Sequence, residues 1–391
     1  MAGISPYALL DWALDTGPSF LSGPDGPGAI RNQVSSRSFV LGKMLREKEF
    51  LQGGDVINET LYLSAKRTFQ IVGRNEQITW TNPQKDVNVT YRWKTALDSF
   101  TWDELERITQ KGGKSGVDLA VKYKNVIDSK WQRVWDSTIQ GMEDKAWAPP
   151  NSAATFTAME SADGKEPYSI PVFVHENGSN SGGFDSNWTT VGGITQATYS
   201  TNWDNKRRQY DYADPADLNG NSTGVFNALD KLSIDVNYRQ PGFKDEYFES
   251  NEAMGNPYGI CTSLTGKALI MDLHRKGNDR LIRPEDAAYP KPRWNNIPIE
   301  DVQGLDNAQL YTTGSTYVDE LDATVTNAGP RFYLLNFDEL KLVFHEDRFF
   351  YTPDRPKEPT DRVEMFVIPV ISLYNLICTN RRVQGIAYPG A

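Results

Sequence analysis

Three histidines, His175, His274 and His345, are all the chain contains, and each stands in a different segment. The common zinc-protease arrangement needs two histidines four apart on a helix, and none are so spaced. Cys261 and Cys378, the only cysteines, lack the short-range pairing typical of zinc sites. Gly112–Gly113–Lys114–Ser115 resembles the end of a phosphate-binding loop. The full motif needs a glycine where this chain has Ile108, and no hydrophobic strand feeds the loop, so it reads as a helix-start loop. Carboxylate neighbours such as Asp103/Glu104 and Glu143/Asp144 read as solvated helix faces. Trp131 and Trp135 sit at helical spacing and read as packing. Lys85 lies beside Asp86 at a polar turn, where a lysine could reach a neighbouring molecule or simply solubilise the tip. No catalytic residue, cofactor or metal site is expected.

The elements that would position any such group are unusual. Between Glu59 and Leu97 two runs alternate apolar and polar residues with a period of two, the signature of strands. Leu61, Leu63, Phe69 and Ile71 share one face of the first run. Val87, Val89, Tyr91 and Trp93 share one face of the second. Gly73 through Asp86 supplies the Gly, Asn and Pro of a turn region. Ten or more residues per strand give a ribbon on the order of 35–40 Å long. A lone two-stranded ribbon is marginal in water, so its apolar face needs a cover. The cover expected is another copy of the chain. Leu61, Leu63, Phe69, Ile71, Trp80, Lys85, Val89, Tyr91 and Trp93 are therefore the expected contacts between copies.

Around the ribbon, residues 1–35 read as an arm rich in Pro and Gly. A helix begins near Ser36, carries Phe39, Leu41, Leu45 and Phe50, and stops at Gly53 and Gly54. Thr101 to Ile108 reads as a short helix capped by Thr101. Asp118 to Trp147 carries the longest helical signal, a spine whose Tyr123, Trp131 and Trp135 suggest contact on more than one side. Pro149 and Pro150 end it. Short strands are expected at Ile170–Val174 and Ile194–Tyr199. Helices are expected over Val225–Val236 and from Thr262 through Leu273. The C-terminal part is strand-rich: Phe332–Leu335, Leu340–Phe344, and an apolar stretch Val363–Cys378 expected to be covered on both faces.

Composition bounds the function. With 41 basic and 51 acidic residues the net charge is -10, which argues against a dedicated nucleic-acid reader. Hydrophobic content of 39% is enough for packed cores. Two distant thiols fit a reducing cytosol, Met1 to Asp15 does not read as a signal peptide, and no stretch approaches a membrane span.

The order of elements resembles the major capsid proteins of tailed bacteriophages with the Hong Kong 97-type fold. Thr190–Tyr199 (TVGGITQATY), Asn278–Ile282 (NDRLI), Phe332–Phe337 (FYLLNF) and Asn375–Gly385 (NLICTNRRVQG) resemble stretches of that family. The resemblance implies an α+β fold in five parts. Residues 1–35 would be the arm, 36–58 a helix leading into the loop, and 59–98 the extended β-hairpin loop. Residues 99–147 and 338–378 would be a peripheral domain, with spine 118–147 and long strands 340–378. Residues 148–337 and 379–391 would be an axial domain. It further implies icosahedral shells of pentamers and hexamers around double-stranded DNA, in a virion assembled in the host cytoplasm. Implied partners are a portal protein, separate scaffolding or decoration proteins, and packaged DNA held by weak non-specific contacts, with no membrane. Some members cross-link a loop lysine to a neighbour's asparagine, and Lys85 lies where that lysine would. From Lys111 to Trp147 seven cationic residues stand against five anionic ones, so one spine face is a candidate interior lining. Two readings compete: a secreted, β-rich carbohydrate-binding or carbohydrate-active protein, and a minor phage structural component.

Overall fold

The computed structural model describes residues 39–63, 86–103, 116–148, 150, 153–175, 190–199, 202–211, 224–236, 258–276, 292–294, 297–302, 305, 311–313, 316–318, 329–353 and 365–390. The expected arm lies outside these, as do Phe69, Ile71, Trp80 and Lys85.

The N-terminal described elements are helix α1 (Phe39–Arg46), β1 (Glu49–Leu51), β2 (Val56–Tyr62), β3 (Asp86–Arg92) and β4 (Lys94–Asp103). Three helices follow: α2 (Gly116–Trp147), α3 (Ala153–Glu160) and the single turn α4 (Ile170–Phe173). Next come β5 (Thr190–Val191), β6 (Ile194–Thr195), β7 (Lys206–Asp211), α5 (Val225–Val236), β8 (Tyr258–Thr262) and α6 (Leu264–Lys276). Strands β9 (Arg293–Trp294), β10 (Ile297–Asp301), β11 (Tyr311–Thr313), β12 (Thr316–Val318) and β13 (Phe332–Asn336) lead to the last three. Those are β14 (Leu340–His345), β15 (Met365–Cys378) and β16 (Gly385–Gly390). Helices and strands are mixed along the chain, and the fold is α+β.

Two sheets organise these elements. The first has strand order β1-β14-β15-β4. Its longest ladder is antiparallel β15 and β4, paired from Met365↔Asp103 to Tyr374↔Lys94. Helix α2 lies on one face. Phe100 meets Trp131 with ring centroids 5.1 Å apart, and Thr138 Oγ1 donates to Asp98 Oδ2 at 3.2 Å. Trp135 packs on Phe350 at 4.6 Å, so both spine tryptophans serve packing, as their spacing suggested. At 1.5 Å per residue the 32 residues of α2 span roughly 48 Å. That length carries Trp147 to the second sheet, where its ring lies 5.3 Å from that of Tyr333.

The second sheet has strand order β7-β16-β13-β8-β10-β9. On one face, Leu229, Leu232 and Val236 of α5 and Ile270 and Leu273 of α6 pack on Ile260, Ile299, Phe332, Leu334 and Ala387. On the other, Cys261, Tyr333, Leu335 and Ile386 join the core shared with the first sheet. Strand β13 is thus covered on both sides, which explains its unbroken apolar run. In β15 this double cover holds for Tyr374–Cys378, while Val367, Ile371 and Leu373 are partly exposed.

Several expectations are corrected. Thr101–Asp103 are not helical: they extend β4, because Met365, Phe366 and Val367 of β15 offer them a ladder. Phe50 lies in β1 rather than in α1, which ends at Arg46. Ile170–Phe173 is a helical turn rather than a strand. Pro171 has the φ a first turn needs, and Val174 N–H closes onto Ile170 O at 2.9 Å. Only Ile194 and Thr195 of the expected strand Ile194–Tyr199 pair, with a 3-10 turn after them. Thr262 ends β8, and α6 begins at Leu264.

Candidate functional site: the root of the ribbon

The alternation between Glu59 and Leu97 produces the two-stranded sheet β2-β3. Its pairs run Val56↔Arg92, Ile57↔Tyr91, Asn58↔Thr90, Glu59↔Val89, Thr60↔Asn88, Leu61↔Val87 and Tyr62↔Asp86. One face carries Ile57, Tyr91, Val89, Leu61 and Val87, with Glu59 set among them. The other presents Asn58, Thr60, Asn88 and Thr90 to solvent. Opposed residues bond across it, Thr60 Oγ1 to Asn88 Oδ1 and Thr90 Oγ1 to Asn58 Oδ1, each at 3.1 Å.

The apolar face of this root is covered by its own chain. Ile57, Leu63, Val89 and Tyr91 are buried in the main core. At about 1.5–3 kcal/mol per fully buried large side chain, this burial fixes the root firmly. Leu63, Val89 and Tyr91 were expected to touch another copy. They cannot do so here, because the body beneath the root already occupies their surface. Trp93 was placed in the ribbon as well. It lies between β3 and β4, donates Nε1–H to Gly54 O at 2.9 Å, and meets His345 at 5.6 Å. Leu61 and Val87, at the outgoing end, are only partly buried.

The bolts are polar. Tyr91 sits edge-on to Tyr168 at 5.3 Å, and its hydroxyl donates to Cys378 O at 2.7 Å. The Tyr168 hydroxyl donates to Glu160 Oε1, which also accepts from Gly192 N–H at 3.0 Å. Gly192 O in turn accepts from Thr90 N–H at 3.0 Å, tying the β5–β6 turn to the ribbon strand. Gly192 has φ +60, and a Cβ there would lie 2.4 Å from Val89 Cγ1, so glycine is demanded twice. Burial pushes both phenols well above their ordinary range, for Tyr168 with the help of Glu160.

Where the ribbon becomes sheet, Lys94 is buried and its ammonium donates to Ala158 O, Ser161 O and Gly164 O at 2.8, 2.7 and 3.0 Å. Three donors meet three carbonyls at the end of α3, where a cation also suits the helix dipole. Burial lowers the Lys94 pKa, and Glu160 opposes that. On the next strand, Asn375 Oδ1 accepts from Tyr168 N–H at 3.0 Å while Nδ2 donates to Arg92 O at 2.6 Å. Arg381, fully buried, donates Nε–H to Phe173 O at 3.0 Å and lies over the Trp203 ring. These residues were not singled out from sequence for any role. Gly192, Asn375 and Arg381 nevertheless stand inside two of the stretches that carried the family resemblance. The available signal was a polar residue embedded in an apolar strand.

No protein-family model matches the chain, and no curated protein matches it. Among solved structures the chain is similar to several that are named for phages or for capsids. One is the "Cyanophage A-1(L) capsid asymmetric unit", at 10% identity and TM-score 0.48, covering 90% of this chain and 92% of that one. "Mycobacterium phage Ogopogo" is similar at 10% identity and TM-score 0.46 over 95% and 98%. "Capsid of empty GTA particle computed with C5 symmetry" is similar at 10% identity and TM-score 0.46 over 97% and 98%. Those names belong to the proteins compared.

The remaining chemistry-bearing residues are dispersed. His175 is buried with its carbonyl accepting from Asn205, and the imidazole of His345 accepts from Asp347 N–H at the start of a 3-10 turn. Cys261 and Cys378 are free and buried, and burial pushes the Cys378 thiol up to about 12 and the Cys261 thiol up as well. Among the described residues no group of three or more His, Cys, Asp or Glu could hold a metal. No described helix is long and apolar enough to cross a membrane. Two spine cations are engaged within the chain, Lys130 with Thr101 O at 3.0 Å and Lys145 with Glu166 at 2.6 Å.

Proposed function

We propose that this chain is the major structural subunit of a protein shell, a major capsid protein that assembles through pentamers and hexamers and encloses double-stranded DNA. The observation carrying this is the ribbon root. A bonded polar face, a buried apolar face and the Gly192 clamp hold β2 and β3 in one direction, and Leu61 and Val87 near their paired ends remain half covered. A rigid base under a strand pair suits a lever that grips a neighbour. Contact between copies then falls to Leu61 and Val87 and to the residues expected from sequence, Phe69, Ile71, Trp80 and Lys85. The dispersal of histidines and the burial of both thiols support a structural, non-enzymatic role. A net charge of -10 suits an enclosure that holds DNA loosely. The same reading brings a portal protein and separate scaffolding or decoration proteins as partners, and places the assembled form in the virion.

The test removes Gly73–Lys85. The expected outcome is a subunit that folds, by circular dichroism and thermal melting, but gives no closed shells in negative-stain images under conditions where the intact chain does. Normal shells from the shortened chain would refute the role given to the ribbon.

A further inference from the structure

Positive charge collects at one edge of the second sheet. Strand β7 pairs in parallel with β16, and among the described residues no strand lies on its other side. Lys206 N–H donates to Gln384 O at 2.9 Å, so the alternation of a parallel ladder turns the N–H and C=O groups of Arg207, Gln209 and Asp211 outward. Lys206, Arg207 and Arg208 follow one another along this strand, and the 3-10 turn Arg381–Val383 brings Arg382 beside them. Asp204 pairs with Arg207, and Asp235 of α5 pairs with Arg208 at 2.5 Å. The Lys206 ammonium makes no hydrogen bond or ion pair among the described residues. Burial first and then the nearby Arg382 lower its pKa, while Asp204 and Asp235 raise it. One residue before Asp235, Ile234 is 75% exposed, the most exposed of the large apolar side chains described.

An aliphatic side chain beside a charged rim has the anatomy of a contact surface. Charge says which partner fits. A copy of this chain carries 51 acidic against 41 basic residues, so most of what it offers is negative. Two such patches cannot face each other, because like charges would meet. Resting on the shell-subunit reading, we propose that this edge makes a heterologous contact with an acidic surface of a second copy, with Ile234 as anchor and Lys206 and Arg208 as the charged rim. A heterologous contact repeated by rotation closes a ring, which is the route to pentamers and hexamers.

The test compares the full chain with Lys206→Glu, Lys206→Gln and Ile234→Asp by sedimentation velocity and negative-stain imaging. Each is run at about 0.05 and about 0.5 M salt, on either side of physiological screening. The expected result is assembly of the intact chain that weakens with salt, a loss of about tenfold or more in association for Lys206→Glu, and a smaller loss for Lys206→Gln. Ile234→Asp should lose association at both salts. Subunit melting should stay within a few degrees throughout, as Ile234 is exposed and Lys206 is only partly buried. If the intact chain assembles and the variants match it, the edge contact is wrong while the shell reading stands. An intact chain that stays monomeric at both salts overturns both.

Discussion

At the scale of single residues, Glu59 shows how a carboxylate can oppose its surroundings. It shares the inner face of the ribbon with Val89 and Leu61, and Lys341 bonds Glu49 close by at 3.6 Å. Burial first, and then Glu49, raise the Glu59 pKa above its ordinary value, while Lys341 pulls it down. The folded chain therefore holds this proton more tightly than the unfolded chain does. By linkage, the stability tied to Glu59 is fully present below the unfolded value near 4.5 and is lost as pH rises through the folded value. Glu59→Gln should raise the melting temperature at pH 7, and the difference from the parent should shrink as pH falls toward 4.5. Melting curves across that range check it, and a pH-independent difference would show that titration at Glu59 is not involved.

At the scale of elements, the β5–β6 turn acts as a clamp on β3, and Gly192 is its jaw. Gly192→Ala puts a methyl group against Val89 in a backbone conformation that disfavours a side chain. Backbone strain and overpacking each cost about 1–3 kcal/mol, so a fall of about 2 kcal/mol or more in unfolding free energy is expected by denaturant titration. This scale is also where sequence was most and least legible. The spine and α5 could be read because their apolar residues recur at the helical period, and β13, β14 and β15 because they are rich in apolar residues. The alternation of the ribbon's two faces was legible too, but its cover was not. Alternation says that a face is buried and is silent about which molecule buries it. Tyr168, Phe173 and Gly192, which do the covering, come from segments with no periodicity. The turn Ile170–Phe173 was misread because four apolar residues have no period, and Thr101–Asp103 because a capping pattern can be outbid by a ten-pair ladder.

At the scale of the whole molecule, the two sheets share one core, and Trp147 is the residue that joins α2 to the second of them. Its ring is buried against Tyr333, and its removal opens a cavity between the layers rather than inside one. Trp147→Ala should cost about 3–5 kcal/mol, the range for deleting a large buried ring. Chemical denaturation followed by near-ultraviolet circular dichroism and by intrinsic fluorescence should shift by the same amount. A change confined to one probe would mean that the two layers unfold independently.

Trp93 alone separates β3 from β4. Ribbon and sheet edge are therefore one nearly continuous span of extended backbone, and extended backbone has little slack. A pull on the outer end of the ribbon travels along β3 into the ten rungs shared with β15, and is borne in shear across all of them rather than peeled one at a time. The joint that would otherwise give way first is the one where the buried Lys94 ammonium grips three carbonyls.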